Sequence, residues 1–175
     1  MGATLELLRT ERLRLRAWTT SPADLARLTD IYGRSEVTRW LGGPPTVPPD
    51  ELVARWGAVH DRDARFGCWA VERRDGVVAG TLLLKPLPQG VGEVEVGWHL
   101  HPDSWGHGYA SEAARSVVDR AFAAGLPEVY AVVLPGNQRS LAVCRRLGMT
   151  PLGRMTRWYD VDLEVFRQMA PVVVE

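Results

Sequence analysis

Between Glu93 and Ala110 the chain reads EVEVGWHLHPDSWGHGYA, a run rich in side chains able to move a proton or hold an anion. Read as a strand, it puts Glu93, Glu95, Gly97, His99 and His101 on one face, because strand side chains alternate with a period of two. Carboxylates and imidazoles on one face can take or deliver protons. His99, His101 and Asp103 could also be metal ligands, but Pro102 interrupts them and no fourth ligand is apparent, so no metal is expected. Gly106 and Gly108 then run into a helix starting near Tyr109. A helix N-terminus carries free N–H groups and partial positive charge, and glycines before it let a phosphate come close. A tight turn alone would also use such glycines. The dinucleotide fingerprint G-x-G-x-x-G fits less well: Ser111 stands at its third glycine and three strands precede the motif, although Glu128 lies about twenty residues on, as the fingerprint asks. No P-loop pattern occurs.

The elements that must position these residues follow from periodicity and turn signals. ERLRLRAW alternates, with Leu13, Leu15 and Ala17 on one face and Arg12, Arg14 and Arg16 on the other, where they are solvated or line a groove for an anion. Ser21 as N-cap, Pro22 and Asp24 open a helix whose apolar face is Leu25, Leu28, Ile31 and Tyr32. GGPPTVPPDE is a loop, and a second helix from Pro48 or Pro49 turns Leu52, Val53, Trp56 and Val59 inward. Cys68–Glu72 and Val77–Leu84 form a hairpin across Asp75-Gly76, and the Glu93 segment adds a third antiparallel strand. A helix with Ala113, Ala114, Val117, Val118, Ala121 and Phe122 inside follows, stopped by Gly125 and Pro127. VYAVVL reads as a strand buried on both sides. Asn137 caps a helix carrying Leu141, Cys144 and Leu147, ended by Gly148, and strands at Thr150–Thr156 and Tyr159–Phe166 complete the chain. The expected fold is α/β (α+β mixed): one domain over 1–175, with a central mixed sheet of six to seven strands and helices on both faces. The strand–helix–strand from Glu93 to Leu134 must be a parallel crossover. Trp18, Trp56 and Trp69 fit core positions.

Composition narrows the function. Lys plus Arg and Asp plus Glu both count 21, so the basic surplus of a nucleic-acid binder is missing. Apolar residues make up 46%, which suits a folded globule, yet no run is long enough to span a bilayer. The start has no signal-peptide h-region, and Glu6 stands where a myristoylation motif at Gly2 needs Ser or Thr. Cys68 and Cys144 are too few for a disulfide framework. A cytoplasmic protein without nucleic-acid or membrane partners is expected.

HPDSWGHGYASEAARSVVDRAF after a strand, followed by a buried strand and NQRSLAVCRRLGM, resembles the GNAT superfamily of acyl-CoA-dependent N-acyltransferases. LRTERLRLRAW, WGHGYASEA and NQRSLAVCRRLGM together resemble its RimJ/RimL-type subgroup, the ribosomal-protein N-terminal acetyltransferases and their relatives. The likeness runs from Arg9 to about Phe166. It implies a GNAT-like fold with acetyl-CoA as co-substrate, bound between two parallel strands that splay apart. Pantetheine would pair with the backbone of Trp98, His99 and Leu100. The pyrophosphate would sit on the N–H groups of Trp105, Gly106, His107, Gly108, Tyr109 and Ala110, with Ser104 just before them. Asn137 would touch the pantetheine arm and Ser140 would lie near the thioester. The chain departs from the family at Asp103, where Gln or Arg is frequent, at His107, where Lys or Arg is frequent, and at Cys144, where many members carry a Tyr that protonates the leaving thiolate.

Acyl transfer to an amine needs a base, a donor for the oxyanion and an acid for the thiolate. An α-amine of pKa about 7.7–8 needs less help than a lysine near 10.4. Glu95 is the first candidate base, directly or through water, with an ion-paired strand carboxylate as the alternative; His99 is second. Backbone N–H groups near Trp98 to Leu100 are the candidate oxyanion donors. For the acid, Ser140 is taken from the resemblance and Cys144 is the reserve. The expected activity is acetyl-CoA-dependent N-acetylation of a primary amine, on a protein N-terminus or a small molecule, by direct transfer in a ternary complex. An antibiotic or polyamine acceptor, a longer acyl-CoA, a non-catalytic CoA-binding module and a homodimer stay open.

Overall fold

The computed structural model describes residues 4–172; Met1 and Gly2, weighed above for processing, lie outside them. The strands are β1 (Leu8–Arg9), β2 (Leu13–Ala17), β3 (Gly67–Arg73), β4 (Val78–Pro86), β5 (Val94–Leu100), β6 (Glu128–Val133), β7 (Thr150–Met155) and β8 (Leu163–Met169). The helices are α1 (Pro22–Gly33), α2 (Ser35–Thr38), α3 (Pro49–Arg62), α4 (Tyr109–Ala123) and α5 (Gln138–Arg146), with a 3-10 turn at Pro102–Ser104. All eight strands form one sheet in the order β1-β2-β3-β4-β5-β6-β8-β7. That is one strand more than expected, because the two residues of β1 pair with β2 ahead of the alternating segment.

Alternation along the strands separates two cores. Trp69 and Val71 pack with Ala113, Val117 and Leu141 of α4 and α5. Ala70 between them packs with Leu28 and Ile31 of α1, against which Trp56 of α3 rests. Helices therefore cover both faces. Ser21 caps α1 by accepting the Asp24 N–H, as its position suggested. The arginine face of β2 is ion-paired, Arg16 with Asp24 and Glu72, Arg14 with Glu72 and Arg12 with Glu112, and Arg12 also lines a small cavity with Arg73 and Arg74.

Among the described residues the one parallel pair is β5/β6, and its register is a single residue pair, Glu95 opposite Tyr130. Beyond that point the two strands diverge, whereas β4 follows β5 over its whole length from Pro86–Val94 to Gly80–Leu100. Gly80 permits that close approach, since a Cβ there would lie 2.0 Å from the His99 carbonyl oxygen. The last strand starts four residues later than expected, at Leu163. Tyr159 and Asp160 have left-handed backbone (φ 59° and 52°), so Tyr159 belongs to the β7–β8 connection and not to a strand.

Candidate active site

The divergence of β5 from β6 opens a cavity of about 1270 Å³. Val96–Leu100 and Ala131–Val133 form its walls, the turn before α4 and the start of α5 close one end, and α2, the loop after it and Tyr159 close the other.

The end at α4 is mostly backbone. Gly106 and Gly108 both sit at positive φ (78° and 77°), and Gly108 is the N-cap of α4. A Cβ on Gly106 would meet nothing within 4 Å, so there is open space beside the turn. Arg12 holds the turn from behind: its side chain donates to the His107 carbonyl (2.8 Å) and pairs with Glu112 in the first turn of α4 (2.7 Å). The Asp103 carboxylate is turned away onto Arg27 (2.9 Å) and Ser104 (2.7 Å). Although burial pushes the other way, those hydrogen bonds hold Asp103 below the usual carboxylate range. The Arg139 guanidinium lies 4.1 Å from the centre of the Trp105 ring, and both line the cavity with Arg146. A divergent strand edge, an N–H turn with room before it and two arginines fit a long ligand carrying phosphates.

Midway along, Trp98 donates its indole N–H to Ser140 Oγ at 3.3 Å. That leaves the serine's own proton available to a partner in the cavity. Asn137 caps α5 by accepting the Ser140 N–H.

The other end is built from side chains. Glu95 Oε1 lies 2.9 Å from Lys85 Nζ and accepts the Tyr159 hydroxyl, and Lys85 also donates to Tyr159 at 3.1 Å. Burial first, and the Glu95 charge next, push the Tyr159 phenol up to about 12. Lys85 is held above its ordinary value: burial opposes this, but the charges of Glu95 and Tyr159 prevail. Two residues along from Gly97 on β5, His99 is half-buried, with Nδ1 3.0 Å from the Tyr32 hydroxyl, which donates to Thr81 (2.9 Å). Tyr32 thus ties the imidazole through Nδ1 to Thr81 of β4. Burial first, and Lys85 second, lower the imidazole to about 4, so it is neutral near pH 7.

The structure brings Glu95, Trp98, His99, Leu100, Ser104, Trp105, Gly106, Gly108, Tyr109, Ala110, Asn137 and Ser140 to one cavity. His107 does not line it; its ring stacks on Tyr109 at the exposed back of the turn. Cys144 does not line it either. One helical turn beyond Ser140, it is wholly buried in the core, and burial pushes its thiol up to about 12. The Glu93–His101 face also breaks at both ends: Glu93 pairs with Arg157, and His101 is buried between Asp30 and Asp103. Among the described residues no cluster of three or more metal-ligating side chains forms. Sequence reasoning missed Lys85 and Tyr159. Lys85 was legible in principle, since it faces Glu95 across the meander; Tyr159 was hidden by its assignment to a strand.

A family model described as an acetyltransferase (GNAT) domain matches residues 12–150. The chain belongs to the GNAT acetyltransferase family. An uncharacterized N-acetyltransferase, YoaA of Bacillus subtilis (strain 168), is 29% identical over 157 residues, covering 87% of each chain. The crystal structure of an acetyltransferase from Agrobacterium tumefaciens str. C58 superposes with a TM-score of 0.80 at 30% identity, covering 96% of both chains. A RimL structure, a ribosomal L7/L12 alpha-N-protein acetyltransferase in complex with coenzyme A, shares the fold with a TM-score of 0.77 at 16% identity, covering 94% of this chain and 98% of that one. This GNAT chain is an acyltransferase enzyme, and its mixed sheet with one parallel pair is the GNAT fold.

Proposed function

We propose that this chain is an acetyl-CoA-dependent N-acetyltransferase of RimJ/RimL type that acetylates a primary amine by direct transfer in a ternary complex. The observation that carries the reading is the continuity of one cavity, from the glycine turn past Ser140 to Glu95 and Tyr159. A donor held at one end and an amine at the other would meet without a covalent acyl-enzyme. The β4–β5 ladder continues to His101, whose N–H bonds the Ala79 carbonyl. Alternation then turns the N–H groups of Trp98 and Leu100 away from β4, toward the divergence. Those groups are placed to pair with pantetheine and to donate to the carbonyl oxygen as it gains charge. The turn from Trp105 to Ala110 would hold the pyrophosphate, with Arg139 and Arg146 supplying charge. Acetyl-CoA supplies the activated acyl group when bound. Glu95 takes the proton the amine must lose, and the Ser140 hydroxyl delivers one to the leaving sulfur.

Two measurements test this. Calorimetry should show acetyl-CoA binding to the purified chain. Release of free thiol should then be followed with acetyl-CoA and longer acyl-CoAs against a ribosomal-protein N-terminal peptide, an arylalkylamine, spermidine and an aminoglycoside. Turnover with at least one amine is expected. Failure to bind acetyl-CoA would sink the reading, and tight binding with no thiol release from any pair would make the chain a CoA-binding module.

A further inference from the structure

Two donors converge on a single oxygen of Glu95. Lys85 stands directly opposite it in the β4/β5 register, and Tyr159 reaches it from the β7–β8 connection. Both contact Oε1. Oε2 has no hydrogen-bond partner among the described residues, yet it is not among their enclosed, unpartnered polar atoms. Glu95 itself lines the cavity.

The connection bearing Tyr159 is exposed apart from Trp158 and is tied down at three points. Trp158 is buried beside Leu87 and Tyr130, Arg157 pairs with Glu93, and Asp160 accepts from Gln89 at 3.0 Å. Among the described residues, the non-glycine positions with left-handed backbone are Gln89, Tyr159 and Asp160, all in this corner. Such backbone persists only where its surroundings over-determine it, and it gathers at functional sites.

We propose that Lys85 and Tyr159 are positioning residues that lock Oε1 of Glu95 and leave Oε2 as the atom that meets the acceptor's amine. This rests on the acetyl-transfer reading above. A carboxylate free to rotate would present either oxygen at a spread of angles, and a misplacement of about 1 Å can cost about a hundredfold in rate. With Oε1 doubly held, the remaining lone pairs point in one direction. The other groups around Glu95 do not compete for it. Cys68 of β3 is buried, and its thiol is pushed up to about 12. Tyr130, opposite on β6, gives its hydroxyl to Glu128. The buried residues of α4 are apolar, and Glu36 of α2 lines the same cavity.

The test compares Tyr159→Phe, Lys85→Met, Lys85→Arg, Glu95→Gln and the double variant Glu95→Gln/Tyr159→Phe. It uses thiol release with whichever amine of the panel turns over fastest. Tyr159→Phe should lower kcat about ten- to a hundredfold with the KM for acetyl-CoA unchanged. Lys85→Met should likewise lower kcat with the KM for acetyl-CoA unchanged, and Lys85→Arg should restore most of the loss. The double variant should be no slower than Glu95→Gln, since the tyrosine acts only through the carboxylate. A second readout needs no acceptor: the carboxyl 13C resonance of Glu95, assigned by its loss in Glu95→Gln, should change position in Lys85→Met and Tyr159→Phe, because Oε1 loses one of the groups that hold it. If Lys85→Met does not fold, Tyr159→Phe decides alone. Additive losses in the double variant, or an unmoved carboxyl resonance in both single variants, would overturn the proposal. If Glu95→Gln keeps full kcat, its role in transfer fails, and the carboxyl resonance still decides whether the two neighbours lock it.

Discussion

At the α4 end of the cavity the wall is backbone: two glycines at positive φ, the edge of β5, and a turn held from outside by Arg12. At the opposite end it is side chain: Glu95, Lys85 and Tyr159 in a closed triangle, with His99, Tyr32 and Thr81 beside it. Backbone N–H groups bind a phosphate or an amide whatever side chains surround them, so an end built from them suits a ligand that never changes. Side chains discriminate by charge, shape and pKa, so an end built from them suits chemistry and a particular acceptor. Substitutions in one half should therefore disturb chemistry and leave donor binding alone, and the reverse should hold in the other.

The largest effect is expected at Glu95. Glu95→Gln should lower kcat about a hundred- to ten-thousandfold while calorimetry finds the same affinity for acetyl-CoA. A matching loss of affinity would erase the contrast between the two ends. Next comes Ser140→Ala, which removes the hydroxyl that Trp98 now polarises and should slow turnover about ten- to a thousandfold. Cys144→Ala is its control: the thiol is walled off in the core, so that variant should keep kcat and lose roughly 1 kcal/mol of stability in a urea melt. Reversed outcomes for this pair would exchange their roles.

Gly108→Val probes the backbone end. A Cβ there would lie 3.5 Å from the Arg12 guanidinium that clamps the turn, so a valine would push the clamp and shift the turn, and affinity for acetyl-CoA should drop about tenfold or more, equivalent to about 1.4 kcal/mol of binding free energy. The same residue sits at φ 77°, where a valine is strained, so its melting temperature should fall as well. Unchanged affinity would remove the turn from the donor site. The smallest effect concerns His99. Its imidazole is lowered to about 4 in the folded chain, against 6.5 when unfolded. Between those values the unfolded chain binds the extra proton. The stability His99 contributes is therefore complete above pH 6.5 and is lost as pH falls toward 4. Melting temperatures at pH 7 and pH 5 should differ more for the unaltered chain than for His99→Gln, and equal differences would show that the imidazole is not neutral in the fold.

Local chemistry was enough to find most of the molecule in its sequence. Alternation located β2 to β5, caps and glycines bounded α1, α4 and α5, and the motif run located the cavity's α4 end, because these signals lie within a few residues of what they specify. The extra strand β1 escaped because two residues carry no period. Ala17 was expected to face inward with Leu13 and Leu15 but is exposed, since β2 ends there. What only the tertiary structure decided are the partnerships. Arg12, expected to be solvated or to bind an anion, became the clamp of the glycine turn across 95 residues. Cys144 and Ser140 share a helix face on paper, yet the core takes one and the cavity the other, because the packing of α5 on the sheet puts the boundary between them. Tyr159 reaches Glu95 across 64 residues, through a left-handed turn whose backbone no local residue preference announces. A sequence displays the groups capable of chemistry; which of them share one oxygen depends on distances set by packing between segments far apart in the chain.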